Sequence, residues 1–189
     1  MEKINNLPKQ TCLPICIIQP PLCPEYQAVQ GIYGNLSTQV EPKTANVMKL
    51  WRDKFNEFYP NIPVQVQENA SVSSALKEGM SNFALTTKPM SDNEIEAFEK
   101  TSGYKPTCIR VAAKVQQSGA TAATQEKFIS EPLSEEFLYL YVNKESTKLL
   151  SPAEDEFIKI ILSKDGQEIL EQEGYIIPDV IMEDLKKVK

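Results

Sequence analysis

From residue 28 to residue 90 the chain alternates short apolar runs with longer polar segments that carry apolar residues at helical spacing. The runs at 28–33, 64–67 and 83–86 have the length of strands, and each is followed by a hydroxyl-rich turn. Between the first two, a helix over 43–58 brings Val47, Trp51, Phe55 and Phe58 onto one face, as expected of a helix lying on a sheet. A shorter helix over 72–78 stops at Gly79. Ser91 followed by Glu94 is a capping-box pattern, which predicts a helix over 92–101 with Ile95 and Phe98 turned inward and Gly103 closing it. Strands alternating with helices in this way predict an α/β layer with a mostly parallel sheet.

Cys108 to Ala112 reads as a fourth strand, and from 113 to 131 the pattern fades. The run FLYLYV at 137–142 is the strongest strand signal in the chain, apolar and aromatic enough for a central position covered on both faces. Ser151-Pro152-Ala153-Glu154 is a helix start with cap, proline and acid in their preferred places. That helix buries Phe157, Ile158, Ile161 and Leu162. Lys164-Asp165-Gly166 predicts a break, and a second helix over 166–172 ends at Gly174. The tail after it predicts a short turn and a last short helix. At the other end, prolines at 14, 20, 21 and 24 make residues 1–26 an irregular arm. Its Leu13, Ile15, Ile17 and Ile18 suit it to cover a face of the body or to engage a partner.

With 189 residues the chain has the size of one domain, and 41% hydrophobic against 24% charged residues is an ordinary globular balance. A net charge of −6 disfavours nucleic acid and acidic membrane surfaces, both of which reward a basic field. The chain has no histidine, so the usual general base and the commonest metal ligand are missing. Cysteines at 12, 16, 23 and 108 show neither a CxxC nor a paired CxxC spacing; the first three leave a disulfide or a thiolate metal site open, idle or buried thiols are the expectation, and Cys108 is assigned to the core. No G-x-S-x-G elbow or Walker lysine motif is present, and the chain is expected to be neither an enzyme nor a cofactor carrier. The apolar run LPICII is too short for a secretory signal or a membrane span. The expectation is a cytoplasmic protein with four reduced thiols if Met1 is the native start, and a periplasmic or extracellular one if a leader has been removed.

In parallel α/β sheets ligands collect beyond the C-terminal ends of the strands, where helix N-termini present free amides. The predicted ends carry Asn35, Ser37 and Thr38, then Ser71, Ser73 and Ser74, then Thr86, Thr87 and Lys88. Three hydroxyl-bearing loops at comparable positions predict an oxyanion site. Ser37, Thr38, Ser71 and Ser91 also suit plain helix caps that need no ligand, and both readings stay open on the pattern alone.

Several phrases in the chain carry a family likeness: GNLST at 34–38, WRDKFNEFYPNIPVQVQ at 51–67, GMSNFALTTKPMSDNEIEAFE at 79–99, PTCIRVA at 106–112, PLSEEFLYLYVNK at 132–144 and FIKIILSKDGQEILEQEGYI at 157–176. In this order and spacing the chain resembles the PstS-like phosphate-binding proteins of the periplasmic solute-binding superfamily. The resemblance implies two α/β lobes closing over a tetrahedral oxyanion, the second lobe inserted where residues 113–131 stand here. It therefore implies one lobe over 27–189, a single three-layer lobe of the type II periplasmic-binding-protein-like fold, with 113–131 as a short replacement of the other. Carried onto this chain, the family's phosphate loops fall on Ser37 and Thr38, and on Ala70, Ser71 and Ser73. Asn82 stands where the family has an Asp, and Thr87-Lys88 where it has Ser-Arg. The fewer glycines and the lysine weaken close, bidentate contact with an anion. The expectation is a structural or adaptor subunit with degenerate anion binding, meeting a protein partner or a second copy over the face left by the missing lobe. Its alternative is a weak phosphate or sulfate binder in phosphate sensing or uptake.

Overall fold

Among the described residues six strands form one sheet in the order β2-β1-β3-β5-β4-β6. The computed structural model describes residues 25–114, 136–145 and 148–176. In chain order the elements are β1 (Leu36–Val40), α1 (Ala45–Phe58), β2 (Val64–Glu68), α2 (Val72–Lys77), β3 (Phe83–Thr86), α3 (Asp92–Ser102), β4 (Thr107–Lys114), β5 (Glu136–Val142), α4 (Pro152–Ile161), α5 (Lys164–Gln172) and β6 (Tyr175–Ile176).

The sheet is mixed, and the expectation of a mostly parallel sheet is corrected. β1 pairs in parallel with β2 and β3, but β3–β5, β4–β5 and β4–β6 are antiparallel. The cause is the return point of the chain. Lys114 and Glu136 are register partners, so the chain leaves β4 and re-enters β5 at the same end of the sheet, and β5 must run against β4. FLYLYV then lies centrally, between β3 and β4, as its apolar character predicts.

Helices cover both faces. Alternation along the strands sends Leu36, Val40, Phe83, Leu85, Leu138, Leu140 and Val142 into one cluster with α1, α4 and α5. Ala84 and Tyr141 point the other way, into a smaller cluster with Val72 and Leu76 of α2 and Phe98 of α3. In the larger core, Phe157 stands 5.3 Å from Phe55 and 5.5 Å from Phe83 between ring centroids. Each such fully buried side chain contributes about 1.5–3 kcal/mol. A bulge between Arg110 and Ala112 breaks the strand's alternation, and both Val111 and Ala112 enter this core.

Ser91 and Ser151 start α3 and α4 with complete capping boxes, and Gly103 closes α3 at φ 81°, a conformation that favours glycine. Three local expectations are corrected. Residues 28–33 form no strand. Val29 and Tyr33 are exposed, and this segment is held instead by Tyr26 and by the Val29 N–H donating to Tyr59 Oη at 3.0 Å. The first strand is 36–40, because its polar residues find partners in the sheet: Thr38 Oγ1 donates to the Gln65 carbonyl, and the Gln39 amide to Gln67 Oε1. Gly166 does not break a helix but lies in the first turn of α5, and the corner falls at Leu162-Ser163. Cys108 is exposed on β4 rather than in the core. The arm before residue 25, its cysteines at 12, 16 and 23, residues 115–131 and the expected last helix lie outside the described residues. Ala113 and Lys114 belong to β4.

Candidate functional site

Parallel pairing of β2, β1 and β3 gathers their C-terminal ends at one edge of the sheet. There a hollow of about 240 Å³ is lined by Glu41, Ser71, Ser73, Thr86, Lys88 and Glu94, with Tyr141 and Met90 below. Among the described residues its charged lining groups are two carboxylates and one ammonium.

Glu41 is the first residue past β1, and Pro42 after it disfavours a helical backbone at that position. Its N–H donates to the Leu85 carbonyl at 3.2 Å, and its own carbonyl accepts from the Thr44 N–H at 2.9 Å and Thr44 Oγ1 at 3.1 Å. The backbone is thus anchored on both sides, and the side chain reaches across to the end of β3. Glu41 Oε1 accepts from Thr86 Oγ1 at 2.5 Å, while Oε2 accepts from Thr87 Oγ1 at 3.0 Å and from the Thr87 N–H at 3.2 Å. Burial presses this carboxyl upward. The three hydrogen bonds, with the charge of Lys88, outweigh it and hold the group below its ordinary range. Glu41 is therefore a carboxylate at neutral pH, and its partners are the kind of donors an oxyanion would take.

Across the hollow, Ser73 Oγ donates to Glu94 Oε1 at 2.5 Å, and Glu94 Oε2 accepts from both the N–H and Oγ of Ser91 at 2.8 Å. The Ser73 bond first, then those from Ser91, hold the Glu94 carboxyl below its usual value. Ser71 Oγ donates to Ser74 Oγ at 2.9 Å. Tyr141 Oη accepts the Met90 N–H at 2.8 Å, and burial pushes its phenol well above the ordinary range.

Of the residues expected from sequence, Ser71, Ser73 and Lys88 line the hollow, and Thr87 reaches it through Glu41. Ser37, Thr38 and Asn82 do not. With β1 starting at Leu36, Ser37 and Thr38 lie inside the strand rather than in a loop beyond it. Ser37 Oγ donates to the Met80 carbonyl at 2.7 Å, and Thr38 is fully buried against the Gln65 carbonyl at 3.0 Å. Asn82 precedes β3, at the opposite end from Thr86. Its Oδ1 accepts the Ser37 N–H at 2.9 Å and its Nδ2 donates to Glu154 Oε1 at 2.7 Å, tying β1 and β3 to α4. Sequence reasoning missed Glu41, whose signal is a carboxylate one residue past a buried strand, held before a proline. It also missed Glu94 as a lining group, having read it as a cap alone. Among the described residues no cluster of three or more acidic or cysteine side chains is placed to hold a metal ion, and no helix is long and apolar enough to cross a membrane.

No protein-family model matches the chain. It is similar to the phosphate-binding protein PstS of two Pseudomonas aeruginosa strains, 40% identical over 94 residues, 49% of this chain. It spans 29% of the length of these curated relatives. The backbone is similar to a possible phosphate-binding protein from Planctomyces limnophilus, with a TM-score of 0.64 at 12% identity over 82% of this chain and 97% of that one. A phosphate transporter substrate-binding protein from Clostridium perfringens, solved with phosphate bound, gives a TM-score of 0.56 at 12% identity over 77% of this chain and 100% of that one. At such identities the structures establish the fold alone, an α/β layer of the kind these proteins share.

Proposed function

We infer that this chain, a PstS-like member of the phosphate-binding solute-binding superfamily that matches only a fraction of a full-length relative, serves as a non-catalytic lobe acting through protein contacts, its anion site degenerate. The observation that carries this reading is the Glu41 carboxylate on the hydroxyls and amide of Thr86 and Thr87. A fixed negative charge on these donors opposes a second anion, and only Lys88 among the lining residues offsets it. The pairing of Lys114 with Glu136 supports the replacement of a second lobe by the short segment at 113–131, since a whole lobe or a short link can leave and return at that point. Among the described residues no second lobe faces the hollow to enclose a ligand, and concave burial is what gives tight capture. The surface so exposed is then available to a protein partner or a second copy.

Titration calorimetry of the intact chain with inorganic phosphate tests this. No saturable heat at millimolar phosphate is expected, and micromolar binding would overturn the reading. A second reading, weak phosphate binding in sensing or uptake, is favoured by the survival of Thr86, Thr87, Lys88, Ser71 and Ser73 at one edge of the sheet. It predicts saturation in the millimolar range in the same titration.

A further inference from the structure

We propose that Glu41 is a tethered ligand: from within the chain it fills a site whose open form accepts a free tetrahedral oxyanion. This rests on the reading of the hollow as a degenerate anion site and adds what keeps that site shut.

The geometry supports an occupied site better than an incidental surface contact. Both carboxylate oxygens are engaged, by two hydroxyls and one main-chain amide from consecutive residues. Two oxygens bridging donors on one turn is how a carboxylate substitutes for two oxygens of a phosphate or sulfate. The backbone of Glu41 is fixed by Leu85 and Thr44 before the side chain makes any contact, so little further order is lost when the carboxylate binds. A ligand attached by so short a tether has an effective concentration on the order of millimolar or more, which a weak free anion must exceed. The open space beside it, about 240 Å³, is lined by further hydroxyls at Ser71 and Ser73 and by Lys88, which Glu41 does not itself hydrogen-bond. The Ser71 and Ser73 hydroxyls donate to Ser74 and Glu94, so among these lining residues it is the Lys88 ammonium that stands ready for a larger anion once the carboxylate is gone.

The experiment is calorimetry and amide NMR on the full chain as wild type, Glu41→Ser, Glu41→Gln and the double variant Glu41→Ser with Thr87→Val, titrated with inorganic phosphate and, separately, sulfate. In Glu41→Ser the donors are freed, and an affinity about tenfold or more above that of the wild type is expected, with the Thr87 amide resonance moving along the titration. Adding Thr87→Val should remove most of the gain while the fold persists. Glu41→Gln keeps the side chain's size and an acceptor oxygen but loses its charge, and should respond between the two; it serves if the serine variant does not fold. A folded Glu41→Ser or Glu41→Gln that binds neither anion overturns the tethered ligand and leaves the protein-contact reading standing. A wild type that binds phosphate as tightly as Glu41→Ser overturns both. A gain in Glu41→Ser that leaves the Thr87 amide unmoved places the anion elsewhere and also overturns the proposal.

Discussion

The indole of Trp51 donates from Nε1 to the carbonyl of Gly166 at 2.9 Å, joining the middle of α1 to the first turn of α5. Both are buried, and the close approach depends on the glycine. A Cβ at position 166 would stand 2.5 Å from the Ile161 carbonyl oxygen and nearer still to that of Ile160, both main-chain atoms that cannot swing away. Gly166→Ala should therefore destabilise the fold by about 3 kcal/mol, the upper range for overpacking a tight site. Trp51→Phe keeps most of the apolar contact but loses this hydrogen bond, at a cost of about 0.5–1.5 kcal/mol. Urea denaturation of both variants measures this, and a midpoint for Gly166→Ala equal to that of the wild type would remove the packing argument.

The Asn82–Glu154 pair gives a prediction that separates location from family pattern. Asn82→Asp restores the residue expected of a PstS-like phosphate loop, yet it lies at the far end of β3 from the hollow. It should add no phosphate affinity. It should also lower stability by about 1–3 kcal/mol, because a donor to Glu154 becomes a second carboxylate facing it. Glu154→Gln in the same background restores a donor and still completes the capping box of α4, so it should recover most of the loss. Gain of phosphate binding by Asn82→Asp alone would place the site elsewhere than at Glu41.

Why the helices were legible and the first strand was not has a physical explanation. Trp51 and Phe55 repeat at helical spacing, and Ser91-Glu94 and Ser151-Glu154 announce helix starts with reciprocal hydrogen bonds that local sequence alone specifies. LSTQV, in contrast, carries Thr38 and Gln39 into the buried part of a strand, and their burial is acceptable only because Gln65 and Gln67 of β2 accept their hydrogen bonds. Nothing local reveals those partners, whereas the run at 28–33 looks like a strand yet pairs with no strand among the described residues. The same shift of the first strand moved Ser37 and Thr38 away from the edge of the sheet and brought Glu41 to it. The direction of β5 was illegible for a related reason, since it follows from where the chain re-enters after β4 and not from FLYLYV itself. The hydroxyls of Ser71, Ser73 and Thr87 were visible; that a carboxylate already holds Thr87 needed the pairing of β1 with β3.

Tyr26 anchors the residues before β1 to the body. Its hydroxyl donates to Glu156 Oε2 and lies 2.6 Å from that of Tyr59, while its ring packs edge-on against Phe58 at 4.9 Å. Glu156 is buried, and its other oxygen accepts from Lys159 Nζ at 2.7 Å. Tyr26→Phe keeps the ring contact and removes one donor from a buried carboxylate, which should cost about 1–3 kcal/mol. Amide hydrogen exchange should accelerate at Val29, whose N–H donates to Tyr59 Oη. Unchanged exchange at Val29 would show that this segment is held by its apolar contacts alone.

Acid should act on the hollow first through Glu41 and Glu94. Both carboxyls titrate below their ordinary value of 4.5 in the folded protein. For Glu41 the burial that opposes this is outweighed by Thr86, Thr87 and Lys88; for Glu94 the leading cause is the Ser73 hydroxyl, followed by the N–H and Oγ of Ser91. With the folded value depressed, the unfolded chain binds more protons in the interval between the two values, so stability rises with pH there. The contribution is fully present above about 4.5 and is lost as the pH falls through the lowered folded values. Glu41→Gln and Glu94→Gln should thus be less stable than the wild type at neutral pH, and the difference should shrink as the pH drops below about 4.5. Denaturation midpoints across this interval check the sign. A wild-type advantage over Glu41→Gln that grows on acidification would mean that Glu41 is destabilised by its surroundings, and that Thr86 and Thr87 do not hold it as an anion.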